Sequence, residues 1–290
     1  MANASTEQPK SIAPVVSVIV PARNEEACLG DCLESLTRQE GVTFEIIVVD
    51  DASTDHTAAI ARSFPEANLL SAPPPPEGWS GKCNAAQAGA NAARGQWLLF
   101  TDADTVHAPG SLAASLAEAR THCVEMLSYS PRQEVRGLVE RAVMPVIFAE
   151  LAATYRPKEV CDPASPAAAA NGQYLLISRA AYDAVGGHAA VARTLLEDVA
   201  LASAVKKSGR RIFFRYGGDA VRTRMYRSFA QLLEGWTKNL VLLFPRPLRL
   251  AAVRAFEFLL AGGGIALLLG GIVSRQPFAT VIGAVVAVPT

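Results

Sequence analysis

The sequence has no surplus of charge of either sign: Lys plus Arg and Asp plus Glu both total 27 among 290 residues. No global field gathers polyanions, so nucleic acid is not expected as a partner and any ligand must be recognised locally. Paired CxxC spacing is missing as well. The five cysteines, Cys28, Cys32, Cys83, Cys123 and Cys161, are an odd number and fit reduced thiols in a reducing compartment. Cys28 and Cys32 fall on one helix face, where burial in a core outweighs zinc ligation. The polar N-terminus, residues 1–14, lacks the basic start and apolar run of a secretory signal, so the domain that follows is expected to stay in the cytoplasm.

Two nucleotide-binding signatures are also missing. No G-x-G-x-x-G follows the first strand-like run, which leaves dinucleotide redox chemistry without support. Gly81 and Lys82 look like the end of a P-loop, but the leading glycine would have to be residue 76, which is a proline, and Cys83 replaces the required Ser or Thr. A Walker site is excluded.

What is present is an alternation of short apolar runs with helical patterns. Residues 15–20, 44–49, 68–71 and 96–100 are short runs in which β-branched, aliphatic or aromatic residues predominate, as expected for strands buried on both faces. Between them, residues 25–38, 55–64 and 82–94 carry helical spacing, a Ser/Thr/Asp cap or an Ala-rich stretch; the predicted fold class is α/β, a doubly wound and mostly parallel sheet with flanking helices. Pro73 to Pro76 can join neither ladder nor helix and reads as a stiff loop delivering residues 77–82 to the sheet edge. A helix from Pro109 to about Thr121 and a strand at 126–130 follow. The apolar stretch from Leu138 to Tyr155 fits either a core helix or a helix in a membrane interface.

Beyond about residue 225 the composition changes. From Phe258 to Val273 no charge occurs, and a second apolar run, Pro277 to Pro289, follows a short polar break; together they read as a membrane-associated hydrophobic hairpin. Neither run reaches the usual spanning length of about 20 residues, and the glycines at 262–264 weaken the first as a helix. Arg246, Arg249 and Arg254 precede the first run, which by the positive-inside rule keeps the large domain cytoplasmic. The expected division is a polar tail (1–14), a main domain (15–224, with halves 15–108 and 109–224), an amphipathic segment (225–254) and membrane-anchoring segments (255–290).

Carboxylates gather after the strand-like runs: Asp50 and Asp51 after the second, Asp102 and Asp104 after the fourth. In an open parallel sheet that edge is where ligands bind. A D-x-D at such a place is either a solvated turn or a pair of hard oxygen ligands, which suit Mg²⁺ or Mn²⁺ shared with phosphates and water.

In combination the motifs resemble the family 2 glycosyltransferases of the GT-A fold. The resemblance rests on residues 16–26 (VSVIVPARNEE), residues 45–55 (EIIVVDDASTD), Gly81 and Lys82 with Ala85 and Gly89, Asp102 to Thr105, and Leu196-Glu197-Asp198, in family order between about Val15 and Arg224. It implies that Pro21, Ala22, Glu25 and Asp51 hold the base and ribose of a nucleotide-diphosphate sugar. It implies further that Asp102 approaches the ribose and the metal, that Asp104 ligates Mn²⁺ or Mg²⁺ at the diphosphate, and that Lys82 offsets phosphate charge. Asp198 matches the family's general base, with Glu197 raising its pKa or orienting the acceptor, and the implied reaction is inverting. Acids also favour a helix start, and both roles can hold at once.

The acceptor side is read from residues 171–174 and 186–188, which resemble the segments flanking the family's acceptor channel and mark Gly172, Gln173 and His188. Where processive polysaccharide synthases carry Gln-x-x-Arg-Trp, this chain has Gln231 and Trp236 with no arginine between, so processive synthesis is disfavoured. Residues 224–229 and 234–239 instead look like single-transfer members acting on membrane lipids, such as the hopanoid-associated and carotenoid-acid glycosyltransferases. Phe229, Leu232, Leu233, Trp236 and Leu240 share one helical face, with Arg227 and Lys238 as polar anchors, which suits a helix in the headgroup layer of the inner membrane with Trp236 toward the acceptor. Two alternatives stand beside this reading. A nucleotidyltransferase would need a basic, glycine-rich loop after the first strand, and residues 21–26 have too many acids. A degenerate, non-catalytic binding protein is disfavoured by Asp51, Asp102, Asp104 and Asp198 all being in place.

Overall fold

The computed structural model describes residues 13–225, 229–244 and 246–274. Their elements run β1 (Val16–Ala22), α1 (Leu29–Thr37), β2 (Phe44–Asp50), α2 (Thr57–Arg62), β3 (Ala67–Ser71), α3 (Gly81–Ala92), β4 (Trp97–Phe100), β5 (Thr105–His107), α4 (Ser111–Thr121), β6 (Met126–Ser130) and β7 (Arg132–Gln133). Then come α5 (Leu138–Thr154), α6 (Pro157–Cys161), β8 (Leu175–Ser178), α7 (Arg179–Ala184), a 3₁₀ turn (Gly187–Val191), α8 (Glu197–Lys207), β9 (Ile212–Tyr216), β10 (Val221–Thr223), α9 (Phe229–Leu243) and α10 (Pro247–Val273). The chain divides into two compact units, Met1–Leu232 and Leu233–Thr290.

In the first unit a seven-stranded sheet has the order β3-β2-β1-β4-β8-β6-β9. Every pairing is parallel except those of β8, which runs against both β4 and β6. The mixed sheet is therefore mostly parallel, as expected. Successive residues of a strand face opposite sides, and β1 shows the result. Val16, Val18 and Val20 pack with Leu29, Leu33 and Leu36 of α1 and Leu112 and Leu116 of α4, whereas Ile19 packs with Ala85, Ala86 and Ala90 of α3 and Leu201 and Val205 of α8. Both faces are covered, which is why β1 and β2 read as predominantly apolar runs. The alanines and Gly89 let α3 lie close to the sheet; a Cβ at Gly89 would stand 2.5 Å from Ile19 Cγ2.

α1 begins at Leu29, later than its pattern suggests. Ahead of it the backbone N–H groups of Glu25 and Glu26 donate to Thr57 Oγ1 (2.7 Å) and Asp55 Oδ2 (3.1 Å). Cys32, on α1, is fully buried in the core, in keeping with its core reading. A second sheet, β5-β10-β7, pairs residues just after Asp104 with residues far along the chain.

Of the two readings of Leu138–Tyr155, a core helix is not what forms. α5 buries only Met144 and Ile147, while Leu138 is 84% exposed. In the second unit the first run of the expected hairpin is not a separate element: it is the C-terminal part of the single helix α10, continuous through the glycines at 262–264. Among the described residues no helix is long and apolar enough to cross a membrane. Arg249, Arg254 and Glu257 occupy the first part of α10, and the roughly 16 residues after them rise only about 24 Å against a hydrocarbon core of about 30 Å. The second arm, Pro277 to Pro289, and the anchor Arg227 lie outside the described residues, and the side chains of Phe229, Lys238 and Leu240 do likewise.

Candidate active site

The site lies at the C-terminal edge of the parallel strands, where the chain leaves β1, β2 and β4. The loops after β1 and β2 are stitched together: Ser53 Oγ accepts from Asn24 N (3.0 Å), and Asn24 Oδ1 accepts from Thr54 N (2.9 Å). Asp51 N donates to Ala22 O (2.9 Å), and Arg23 pairs with Asp51 at 3.5 Å. Asn24 and Ala52 adopt left-handed backbone, φ 56° and 55°, a conformation that costs a non-glycine residue about 1 kcal/mol or more and is held here by the stitched loops.

These loops and the start of α3 enclose a cavity of about 370 Å³. Pro21, Ala22, Glu25, Asp51, Lys82, Asp102 and Asp104 all line it, together with Arg23 and Gly81. A smaller cavity of about 20 Å³ is lined by Gly172, His188, Glu197 and Asp198 and shares Pro21, Lys82 and Asp102 with the first. The structure thus gathers the residues assigned to a donor into one cavity and four acceptor-side residues into its neighbour.

Lys82 stands at the join. It occupies the first turn of α3, the positive end of a helix, where a cation is disfavoured; Asp102 Oδ1 at 2.7 Å and Glu197 Oε1 at 3.6 Å supply the compensating charge. Burial alone would lower its pKa, but the carboxylates Asp102 and Glu197 outweigh that and raise it, so Lys82 remains a cation.

Asp198 lies in the first turn of α8. Its Oδ2 accepts from Gly172 N (2.9 Å) and its Oδ1 from Val199 N (2.8 Å). Burial first, and then the neighbouring charge of Glu197, push its carboxyl up to about 6 against the opposing pull of Lys82 and the two N–H groups. That value suits a base working near neutral pH. His188 is driven down to about 3 by burial and is neutral, with Nδ1 2.8 Å from the Tyr182 hydroxyl.

Asp104 is the other strained acid. Burial and the adjacent Asp102 raise it to about 6. Its Oδ2 accepts from Thr223 Oγ1 (3.0 Å), whereas Oδ1 is buried with no hydrogen-bond partner among the described residues. Such an oxygen is costly unless a ligand completes it. Among the described residues no group of three or more His, Cys, Asp or Glu could hold a metal by itself. A divalent ion that fills the rest of its shell with phosphate oxygens and water needs only one or two carboxylates, and Asp104 with Asp102 fits that donor set.

Neither Gln173 nor Trp236 is among the residues lining the two cavities. Gln173 is 4% exposed and donates through Nε2 to Thr223 Oγ1 (3.3 Å). Trp236 belongs to the second unit, where it is buried on α9. The sequence reading missed Arg23, Gly81 and Thr223. Arg23 and Gly81 lay inside recognised motifs; Thr223 is 119 positions from the carboxylate it touches and carries no local signal.

The model of the family described as Glycosyl transferase family 2 matches residues 17–185, more than half of the chain. The 4,4'-diaponeurosporenoate glycosyltransferase of Staphylococcus aureus (strain MRSA252) is 31% identical over 234 residues, which are 78% of this chain and 60% of that protein. The chain thus spans less than two thirds of that relative's length. Among solved structures, the mannosyltransferase PcManGT from Pyrobaculum calidifontis, in complex with GDP-Man and Mn²⁺, superposes with a TM-score of 0.61 at 20% identity, covering 95% of this chain and 86% of that one. Glucosyl-3-phosphoglycerate synthase from Mycobacterium tuberculosis, in complex with Mn²⁺, uridine-diphosphate and glucosyl-3-phosphoglycerate, gives 0.51 at 23% identity, covering 79% and 77%. These two likenesses bear on the fold, whereas the family model and the sequence relative identify the lineage: the chain belongs to glycosyl transferase family 2.

Proposed function

We propose that this chain transfers a sugar, with inversion, from a nucleotide-diphosphate sugar to a hydroxyl or carboxyl of a membrane lipid, with Mn²⁺ or Mg²⁺ as cofactor. The observation that carries the reading is the pair of adjoining cavities. One is lined by Asp104, whose buried Oδ1 has no hydrogen-bond partner among the described residues, and the other by Asp198, with Lys82 and Asp102 common to both. Asp51, Glu25 and Ala22 line the donor cavity but not the smaller one that holds Asp198, which leaves that part of the wall to the nucleoside end.

In this mechanism Asp198 accepts the proton of an acceptor hydroxyl as its oxygen bonds to the anomeric carbon, and the bond to the diphosphate oxygen breaks on the opposite face. Gly172 N–H and Val199 N–H fix the Asp198 carboxylate for that step. Lys82 offers its charge to the departing phosphates; Asp104 and Asp102 would hold a divalent ion, which would supply further positive charge to the same leaving group. Glu197 keeps Asp198 basic by repulsion. An acceptor carboxyl would already be ionised at neutral pH and would need no base.

The lipid acceptor is supported by apolar surface. Phe256, Phe258, Leu259, Ile265, Leu269 and Ile272 of α10 are exposed, behind Arg246, Arg249 and Arg254. That combination suits a protein lying on the cytoplasmic face of the inner membrane. The name of the S. aureus relative adds loose support for a carotenoid-acid-like acceptor. The test is incubation of the purified chain with UDP- and GDP-sugars, Mn²⁺ and a lipid extract, with the anomeric configuration of the product read by NMR. Transfer with inversion is expected; a product retaining the donor configuration, or donor binding without turnover, refutes the assignment.

A further inference from the structure

β10 ends at Thr223, and the antiparallel register of β10 with β5 sets Thr223 opposite Thr105, one residue beyond Asp104. The small three-stranded sheet therefore delivers a hydroxyl from far along the chain to the second acid of the D-x-D. Thr223 is 1% exposed and makes two side-chain hydrogen bonds, to Asp104 Oδ2 at 3.0 Å and to Gln173 Nε2 at 3.3 Å.

The proton directions follow from the groups. An ionised carboxylate only accepts, so the single hydroxyl proton of Thr223 goes to Asp104. Thr223 Oγ1 must then accept from Gln173, which fixes the amide with Nε2 toward Thr223 and leaves Oε1 at the other end. Both leftover oxygens, Asp104 Oδ1 and Gln173 Oε1, are buried without a hydrogen-bond partner among the described residues. One hydroxyl thus ties down one end of each side chain and leaves the other end to a species that brings positive charge or protons. A cation with its water is such a species.

We infer that Thr223 is a positioning residue for the divalent ion: through the relay Gln173–Thr223–Asp104 it locks the Asp104 carboxylate so that a single oxygen, Oδ1, is presented as ligand. The inference rests on the donor-side reading above, which makes Asp104 a ligand, and adds to it a part of the chain outside every motif. Threonine suits the place because it is at home in a strand and keeps a hydroxyl. Valine matches it in shape and strand preference, removes the hydroxyl, and lets the carboxylate turn.

The experiment is Mn²⁺ titration by electron paramagnetic resonance in the presence of UDP and, separately, GDP, on wild type, Thr223→Val, Thr223→Ala, Thr223→Ser and Asp104→Ala, with thermal unfolding recorded for each. Loss of an outer-shell partner of a metal ligand typically weakens metal affinity about 10- to 100-fold; that loss is expected in Thr223→Val and Thr223→Ala, with near wild-type affinity in Thr223→Ser. The alanine variant decides the matter should the valine variant not fold. Wild-type Mn²⁺ affinity in a folded Thr223→Val or Thr223→Ala, while Asp104→Ala loses it, overturns the positioning role and leaves the donor-side reading standing. Unchanged affinity in Asp104→Ala overturns both.

Discussion

Replacing Asp198 by Asn keeps the shape of the side chain and removes its ability to take a proton. The Gly172 and Val199 N–H groups that fix the carboxylate (2.9 and 2.8 Å) can still be met in part by the amide oxygen, so the α8 start should remain ordered. For a hydroxyl acceptor turnover should fall about 100- to 10,000-fold, the usual share of general-base catalysis, with donor affinity nearly unchanged because the base never touches the nucleotide. The pH dependence follows from the raised carboxyl. With a value of about 6, set by burial and then by Glu197, the base is about nine-tenths ionised at pH 7 and about one-tenth at pH 5, so kcat/KM should rise roughly tenfold between those values. Removing the Glu197 charge lowers the Asp198 pKa, so Glu197→Gln should shift that rising limb toward acid and cost less in rate than Asp198→Asn. The assay is initial-rate sugar transfer from pH 4.5 to 8.5, with donor binding measured in parallel by calorimetry. An Asp198→Asn enzyme with near-normal turnover, or a limb that Glu197→Gln leaves in place, would refute the reasoning. A carboxyl acceptor would show itself by a much smaller loss in Asp198→Asn.

Two further outcomes follow from the geometry. At Gly81 a Cβ would overlap Asp51 Oδ2, so Gly81→Ala should turn Asp51 away from the donor cavity. Loss of one hydrogen bond to a charged group is worth about 1.5–3 kcal/mol, and donor affinity should fall by about tenfold or more with the melting temperature little changed; unchanged donor affinity by calorimetry would contradict it. Flotation with vesicles should show binding that increases with anionic lipid and weakens at high salt, and the double change Phe258→Asp with Leu259→Asp, at side chains 79% and 71% exposed, should reduce it severalfold. A wild-type protein that ignores vesicles altogether would remove the membrane reading.

The parts of this molecule that sequence reveals are those whose physics is local. β1, β2 and β4 are covered on both faces, so their runs of valine, isoleucine and leucine stand out, and the acids that follow them mark the sheet edge directly. β5, β7 and β10 are two or three residues long, too short for any periodicity, yet they carry Thr223 to Asp104. β8 reads LLIS, and nothing in three apolar residues and a serine tells an antiparallel strand from a parallel one or from a turn of buried helix. Ahead of α1 the N–H groups of Glu25 and Glu26 bond to the loop after β2, a tertiary contact invisible in helical spacing. In α10 the glycines at 262–264 cost propensity without breaking the helix, a reminder that intrinsic preference is a weak term within a long apolar segment.

The account stands on donor binding through a divalent ion at Asp104, and the most direct test is calorimetric titration of UDP and GDP into the wild-type protein and Asp104→Ala, each with Mn²⁺ and with chelator. The expected result is that one nucleotide binds wild type at least tenfold more tightly with Mn²⁺ than in chelator, and that Asp104→Ala loses this difference. Equal affinity with Mn²⁺ and in chelator, or a metal dependence undiminished in Asp104→Ala, would contradict it.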